Sequence, residues 1–339
     1  MDTRSTPARR GMATALAVLA LAFGAAACGG DDGGGGGGGS AGGGAEQKAR
    51  TVYLNAYAKE IQYFRDWHEG ATGRAKQLGW TVESEYGNTT PEQQVQQVQN
   101  AIVKKPDVML ITPMDEKSLE PVLREAKQAG IAVVTVGATL SDPNLVTSFV
   151  ARRNYDLGVE KAKFVIDRLG GKGTVGIIHG IRGLTFSEDQ KDGYRATLAK
   201  APGIDVVDGP FAGGFSSDLG LDKTQNMLTG NPRLDAIIFD NDDLALGGIQ
   251  AARERKISMD DILILGTDGG SAALDVVEAG DLDMTISLCG YREGIGAINV
   301  AKQFFDTGKA PKRVVSHVET FTPENIAEKR SGLKREDCA

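Results

Sequence analysis

Short apolar segments alternate with amphipathic helical segments along most of this chain, in two successive series. The apolar segments are rich in Val, Ile and Leu with little two-residue periodicity, which is typical of strands buried on both faces of a parallel sheet. The first series of predicted strands comprises Thr51–Tyr57, Thr81–Tyr86, Asp107–Ile111, Ala132–Val136 and Val146–Val150. The second comprises Thr174–Ile178, Asp205–Val207, Ala236–Phe239, Ile262–Leu265 and Met284–Leu288. Two such series predict two parallel sheets.

The segments between the predicted strands have the spacing of helices. In the first of them Phe64, Trp67 and Ala71 recur on one face, and Gly79 predicts the end of the helix. Thr90 predicts the N-cap of the next helix. Alternating β and α units imply right-handed crossovers and a doubly wound sheet. We therefore predict an α/β fold with two doubly wound, Rossmann-like lobes.

Length and charge exclude several classes of protein. Residues 46–339 exceed one average domain and suit two lobes. The formal net charge is −7, which provides no positively charged surface for nucleic acid. We expect neither a nucleic-acid partner nor, beyond the N-terminal segment, a membrane-spanning helix.

The N-terminal segment has the order of a secretory signal. Arg4, Arg9 and Arg10 precede an apolar stretch from Met12 to Ala27, which is shorter than a spanning helix and ends in small residues. Ala25-Ala26-Ala27-Cys28 resembles the lipobox of bacterial lipoproteins, although Ala25 stands where leucine is preferred. The resemblance implies a signal peptide over residues 1–27 and lipidation of Cys28. The alternative is an ordinary cleavage site next to a free thiol.

A glycine-rich stretch follows Cys28 and cannot bury apolar surface, so we predict a lipid-anchored, flexible linker over residues 28–48. Cys289 and Cys338 are the two remaining cysteines. In an oxidising compartment they can form a disulfide, but they can equally be independent of each other.

Ligands of open α/β sheets bind beyond the carboxyl ends of the strands, so the residues that directly follow each strand are the candidates for a site. These segments are Thr112-Pro113-Met114-Asp115, Gly137-Ala138-Thr139, His179-Gly180, Asp240-Asn241-Asp242-Asp243 and Gly266-Thr267-Asp268-Gly269. Two facing sheets would place them in a cleft between the lobes.

Four of the chain's segments carry a resemblance to a known family. Ile111-Thr112-Pro113-Met114-Asp115, Asp240 to Gly247, Gly266-Thr267-Asp268-Gly269 and Thr285-Ile286 are similar to segments of the periplasmic binding proteins of sugar ABC transporters, in particular the ribose-binding-protein-like group. The resemblance implies a type I periplasmic binding protein whose lobes are joined by a three-segment hinge. It implies an N-terminal lobe of residues 49–152 plus 290–310, and a C-terminal lobe of residues 153–289 plus 311–339.

The resemblance also implies particular ligand contacts. Asn241 and Asp268 match an amide and a carboxylate that hydrogen-bond sugar hydroxyls, and Tyr63, Phe64 and Phe215 match aromatic residues that sandwich the sugar ring. Each has a structural alternative: Asn241 or an acidic neighbour can cap a helix, Asp268 can be a turn residue, and Phe64 also belongs to a core stripe.

The chain departs from the family pattern near the predicted site. Gly137-Ala138 stand where Asp-Arg is common, and Glu188 replaces an arginine, whereas Arg152-Arg153 appear where a small polar residue and Asp are common. We therefore add Arg152 and Glu188 to the predicted ligand contacts and expect a ligand other than ribose. The alternative for the two arginines is a surface ion pair with Asp156 or Glu160.

The predicted function is solute capture for an ABC importer. No dinucleotide-binding, Walker or nucleophile-elbow motif is present, and the three histidines lack metal-ligand spacing, so we expect no enzyme activity, cofactor or metal. The resemblance implies two partners, a small-molecule ligand of the sugar class and a membrane permease, and family members are usually monomers. The alternative is delivery of the ligand to a membrane sensor or chemoreceptor.

Overall fold

The computed structural model describes residues 48–87 and 90–332 and confirms the alternation of strands and helices. The predicted signal peptide, Cys28, nearly all of the glycine-rich linker and Cys338 lie outside the described residues. The strands are β1 (Thr51–Ala56), β2 (Thr81–Tyr86), β3 (Val108–Ile111), β4 (Ala132–Val136), β5 (Ser148–Val150), β6 (Lys172–His179), β7 (Gly203–Phe211), β8 (Ala236–Phe239), β9 (Leu263–Leu265), β10 (Thr285–Ser287), β11 (Arg313–Val314) and β12 (Glu319–Phe321). The helices are α1 (Gln62–Gln77), α2 (Pro91–Lys104), α3 (Glu116–Gln128), α4 (Asn154–Arg168), α5 (Thr185–Leu198), α6 (Ser217–Gly230), α7 (Asp242–Glu254), α8 (Ser271–Glu278), α9 (Gly290–Thr307) and α10 (Ile326–Gly332).

The strands form two parallel sheets of related order. The N-terminal lobe has the order β11-β5-β4-β3-β1-β2, and the C-terminal lobe has the order β7-β6-β8-β9. Strand β10 joins the second sheet through isolated parallel bridges and pairs with β12 in antiparallel orientation. Every residue of β3, β4 and β8 is buried, as expected for strands covered by helices on both faces. The predicted fold class is confirmed.

The chain passes between the lobes three times within the described residues. It leaves the first sheet after β5, returns between β10 and α9, and leaves again between β11 and β12. The last passage corrects the boundary predicted between residues 310 and 311. Arg313 and Val314 pair with Phe149 and Val150 of β5, so they belong to the N-terminal lobe. A two-residue strand has no hydrophobic pattern from which it could be predicted.

Helix α2 begins at the N-cap that the sequence predicts. Thr90 accepts a hydrogen bond from the backbone of Gln93, and the side chain of Gln93 accepts one from the backbone of Thr90, which forms a complete capping box at α2. In α1 the stripe of Phe64, Trp67 and Ala71 is buried against the sheet. Within residues 48–87 and 90–332, none of the helices combines the length and the apolar character that a bilayer crossing requires.

Three helix pairs pack with their backbones in direct contact at glycines. A Cβ atom built on Gly70 of α1 would lie 2.1 Å from the carbonyl oxygen of Tyr291 in α9, and one on Gly294 of α9 would lie 2.1 Å from the carbonyl oxygen of Trp67. The same reciprocal arrangement joins two further pairs, α4 with α5 and α6 with α7, through Gly158, Gly193, Gly220 and Gly247. No side chain fits at these positions without moving a helix.

Alanine at Gly70 is expected to lower the free energy of unfolding by about 1–3 kcal/mol, because the added methyl group separates α1 from α9. Gly73 of the same helix has no atom within 4 Å of a built Cβ. Gly73→Ala is the matched control and should raise stability by about 0.5–1 kcal/mol through helix propensity. Chemical denaturation of both variants measures the difference, and equal stabilities would contradict the close packing.

Candidate functional site

A cavity lies where the carboxyl ends of the strands of the two sheets face each other. It encloses about 500 Å³ of atom-free space, part of which is open to solvent. Residues that follow strands or begin helices in both lobes line it: Tyr57, Ile61, Tyr63, Phe64, Thr112, Pro113, Gly137, Ala138, Arg152, Leu184, Thr185, Phe186, Phe215, Asn241, Asp268 and Leu288.

The two lobes are in contact at the rim of this cavity. The hydroxyl of Thr185 in α5 donates a hydrogen bond of 2.8 Å to the Glu116 carboxylate in α3 of the opposite lobe. Partial burial raises the pKa of Glu116 above its usual value. The guanidinium of Arg152 also lies 5.7 Å from the ring centroid of Phe186, which belongs to α5. The structure therefore represents a closed cleft.

Asn241 serves both the helix and the cavity. Its side-chain carbonyl accepts a hydrogen bond of 3.0 Å from the backbone N–H of Leu244, so Asn241 itself caps α7. Its amide nitrogen donates to the Asp268 carboxylate at 3.3 Å. The neighbouring Asp242 is held away from the cavity, since its carboxylate accepts hydrogen bonds from the backbone of Gly269 and the hydroxyl of Thr285. Asn241 therefore caps α7 and also lines the cavity.

Asp268 follows β9 in a region of backbone conformation that favours glycine, with φ of 126°. Burial, followed by the nearby charges of Asp242 and Asp243, raises the pKa of its carboxyl group well above the usual range. Its side chain is half-buried and faces the cavity beside Asn241. A strained backbone that holds a carboxylate in this environment is typical of a functional position.

A buried lysine joins the two loops that carry these residues. The ammonium group of Lys161 in α4 donates 2.7 Å hydrogen bonds to the carbonyl oxygen of Phe239 and to the hydroxyl of Thr267. Burial lowers the pKa of Lys161 to about 8. Phe239 ends β8 and Thr267 directly precedes Asp268, so Lys161 fixes the position of both loops from behind the cavity.

On the opposite side of the cavity Arg152 forms a buried ion pair with Glu293 of α9. Its Nη1 lies 3.1 Å from Glu293 Oε1, and their side chains are 5% and 1% exposed. The same nitrogen donates to the hydroxyl of Tyr63 at 3.3 Å, and this hydroxyl donates a short hydrogen bond to Glu293. Burial and the Glu293 charge raise the pKa of Tyr63 well above its usual value. The three side chains together carry no net charge.

The hydroxyl of Tyr63 occupies the space that a side chain at residue 137 would need. A Cβ atom built on Gly137 would lie 2.5 Å from this oxygen, and the φ angle of Gly137 is +75°. The departure from the family pattern at Gly137 therefore has a physical reason in this chain. The hydroxyl of Tyr63, which is hydrogen-bonded to Arg152 and Glu293, occupies the space of the absent side chain.

Gly137→Ala is expected to destabilise the protein more than Gly130→Ala does. Both glycines have nearly equal positive φ angles, but a Cβ on Gly130 has no atom within 4 Å. Each substitution adds about 1–2 kcal/mol of backbone strain, and the contact with Tyr63 adds about 1–3 kcal/mol at residue 137 alone. The difference in stability between the two variants, measured by thermal or urea unfolding, gives the cost of the contact with Tyr63. Equal losses of stability would contradict this contact.

Aromatic rings from both lobes form the apolar walls. Phe64 makes edge-on contacts with Tyr57 at 4.7 Å and with Tyr63 at 5.1 Å between ring centroids. Phe215 contacts Phe186 in the same manner at 5.9 Å. Such rings pack against the C–H faces of a small ring and contribute through area and shape.

Most of the predicted contact residues line this cavity. They are Tyr63, Phe64, Arg152, Phe215, Asn241 and Asp268. Phe64 is both a core residue and a cavity residue. Arg152 lines the cavity, whereas the adjacent Arg153 forms an exposed ion pair with Asp156 at 3.4 Å. Glu188 requires a correction: it accepts a hydrogen bond from the backbone of Gly183 and pairs with Lys191, outside the cavity. Cys289 is buried at the start of α9, and its pairing with Cys338 stays a prediction.

Tyr57, Thr112 and Phe186 shape the cavity but were not among the predicted ligand contacts, although Thr112 stood in a candidate segment after a strand. Tyr57 and Thr112 directly follow β1 and β3, so strand ends were a usable signal for both. Phe186 lies in the first turn of α5, where an aromatic residue has no distinctive pattern. Glu293 does not line the cavity and reaches Arg152 only because α9 returns to the first lobe.

The two parallel sheets, the three passages between them and the cleft define a two-lobed α/β solute-binding protein. Residues 52–310 match the model of the periplasmic binding protein domain family. The chain belongs to this family, and membership implies an extracytoplasmic location.

Several known proteins are similar to this chain. A xylitol-binding protein of Mycolicibacterium smegmatis is 31% identical over 57% of this chain, although the match spans 55% of that protein's length. The ribose import binding protein of Bacillus subtilis is 27% identical, with 71% of this chain and 77% of that protein covered. The crystal structure of a periplasmic ribose ABC transporter from Conexibacter woesei is 33% identical with a TM-score of 0.78, and covers 88% of this chain and 99% of that one.

Proposed function

We propose that the protein captures a monosaccharide or a related polyol in the cleft and presents it to an ABC importer. The observation that carries this proposal is the cavity between the lobes, where the amide of Asn241 and the carboxylate of Asp268 lie 3.3 Å apart between aromatic walls. An amide and a carboxylate side by side can serve two neighbouring hydroxyl groups. The ribose- and xylitol-binding relatives, and a 26% identical solute-binding protein of Actinobacillus succinogenes with bound D-allose, support the ligand class.

Hinge closure is the proposed mode of capture. A ligand selects the closed form only through contacts that it makes in that form, so it must touch both lobes. Arg152 and Phe64 from one lobe, and Asn241 and Phe215 from the other, meet this condition. Chemistry on the ligand is not part of the proposal.

We further propose that the mature protein is a monomer, tethered to the outer face of the cell membrane by a lipid on Cys28. The order of basic, apolar and small residues before Cys28 supports this attachment. The glycine-rich linker over residues 28–48 would raise the effective concentration of the binding lobes near a membrane permease.

A thermal-shift panel tests the ligand class. Pentoses, hexoses, inositols, linear polyols, nucleosides and amino acids are each added to the folded protein. A ligand that binds only the native state raises stability by RT ln(1 + [L]/Kd), so one carbohydrate or polyol should give a large shift. Stabilisation by amino acids or nucleosides, with none by any carbohydrate or polyol, would refute the proposal.

A further inference from the structure

The cavity offers few polar groups compared with its apolar surface. Thr112 and Arg152 are buried, and Thr112 Oγ1 and Arg152 Nε have no hydrogen-bond partner among residues 48–87 and 90–332. With Asn241 and Asp268 they provide most of the hydrogen-bonding capacity, since Thr185 is already bonded to Glu116 and Tyr63 to Glu293. A ligand with hydroxyl groups on every side would leave several of them against apolar walls, which is unfavourable.

The charges around the cavity are unevenly compensated. The positive charge of Arg152 is paired directly with Glu293, and it acts on Asp268 without forming an ion pair with it. Asp268, by contrast, forms no ion pair within the part of the chain that the structure describes, and its side chain is hydrogen-bonded to the neutral Asn241. Two further carboxylates, Asp242 and Asp243, lie near enough to act on it.

The buried cation Lys161 does not balance this group of carboxylates. Lys161 interacts with Asp240, Asp242, Asp268 and Glu160 together, so a single ammonium group faces four carboxylates. Its hydrogen bonds go to Phe239 and Thr267, and none goes to a carboxylate of the residues that the structure describes. The carboxyl groups on the C-terminal side of the cavity therefore outnumber the cations, and a bound cation would stabilise the charged form of Asp268, whose pKa is raised by burial and by its acidic neighbours.

Aromatic rings stand around the same space. Tyr57 is close enough to Asp268 for the carboxylate charge to act on its hydroxyl, and Phe64 contacts Tyr57. Phe186 and Phe215 line the opposite wall. Aromatic faces attract a desolvated cation, and they do so in addition to a carboxylate partner.

We propose that the ligand carries a basic amine, and that its ammonium group binds Asp268 among these aromatic rings. This inference rests on the proposed function and narrows its ligand class to amino sugars or amino polyols. The amine supplies the cation that the site lacks, the Asn241 amide accepts or donates to a neighbouring hydroxyl, and Arg152 Nε donates to an oxygen at the other end. A carboxylate on the ligand is disfavoured because Glu293 stands directly behind Arg152.

Ligands that differ only in the amine test the proposed amine contact with the unaltered protein. Isothermal titration calorimetry compares glucose with glucosamine and N-acetylglucosamine, galactose with galactosamine and N-acetylgalactosamine, and myo-inositol with its amino-substituted analogues. The pH is kept below the pKa of the free amines. In at least one series the amine is expected to bind about ten-fold or more tightly than both its hydroxyl and its acetylated counterpart. Acetylation removes the charge while it keeps the nitrogen.

The variant Asp268→Asn provides the second arm. It should weaken binding of the amine by a larger factor than binding of the hydroxyl counterpart, because only the amine loses an ion pair. Asp222→Asn is the control, since Asp222 lies on the surface of α6 and pairs with Lys223. If the neutral sugars and inositols of these series bind as tightly as their amines, the inference is overturned and the proposed function stays intact. Failure of every sugar and polyol to bind would overturn both.

Discussion

Replacement of Glu293 by alanine is expected to lower the free energy of unfolding by about 3–5 kcal/mol, because it leaves the guanidinium of Arg152 buried without a counter-charge. The side chain of Arg152 is 5% exposed, so water cannot take over the role of the carboxylate. Tyr63 loses its acceptor in the same variant. Urea denaturation of the purified protein, followed by circular dichroism, measures the loss.

Two further variants make this prediction specific. Asp156→Ala removes the partner of the adjacent Arg153, which is exposed, and should cost less than about 1 kcal/mol. Methionine at both 152 and 293 should recover most of the stability, since a buried ion pair can often be exchanged for apolar residues of similar volume. A Glu293→Ala variant as stable as Asp156→Ala would show that Arg152 finds another partner or leaves the interior.

Asp268→Ala is expected to abolish the stabilisation that the ligand provides. At a ligand concentration of about a thousand times Kd, that stabilisation is about 4 kcal/mol in the unaltered protein. The apo form of the variant should remain folded, because Asp268 contributes a single side-chain hydrogen bond within the described residues, to Asn241. Thermal melting with and without the ligand found in the panel measures both quantities.

The control for this experiment is Asp222→Ala, which changes an aspartate of the same lobe outside the cavity. Its ligand-induced shift should equal that of the unaltered protein. A full shift in Asp268→Ala would remove this carboxylate from the site. A variant that no longer folds without ligand would instead assign Asp268 a structural role.

Much of the architecture could be predicted because parallel strands covered by helices leave a strong pattern. Strands β2, β4 and β8 have the predicted bounds. Strands β4 and β8 are continuous apolar or β-branched segments, whereas β2 alternates with polar residues and follows the predicted end of α1 at Gly79. Strands β11 and β12 were not predicted. They contain two and three residues and exist only because β5 and β10 offer free edges.

Site residues that follow strands could be predicted from the sequence. Residues whose place depends on a partner distant in sequence could not. Asn241 and Asp268 follow strands of known order, so their proximity follows from topology. Arg152 and Arg153 are adjacent and chemically identical, and only the position of Glu293 in the fold decides which of them is buried. Glu188 follows Thr185 and Phe186, the residues of α5 that line the cavity, and its carboxylate accepts a hydrogen bond from Gly183 outside it.

The glycine contacts between paired helices limit how the cleft can open. Two helix backbones in direct contact cannot slide along each other, because a shift of a few ångströms would bring Cβ atoms against carbonyl oxygens. The contacted pairs are each confined to one lobe, so each lobe should move as a rigid body. Rotation is then concentrated in the three short connections near residues 151–153, 288–289 and 315–318. Substitutions in those connections would change the rate and extent of opening while the internal geometry of each lobe stays the same.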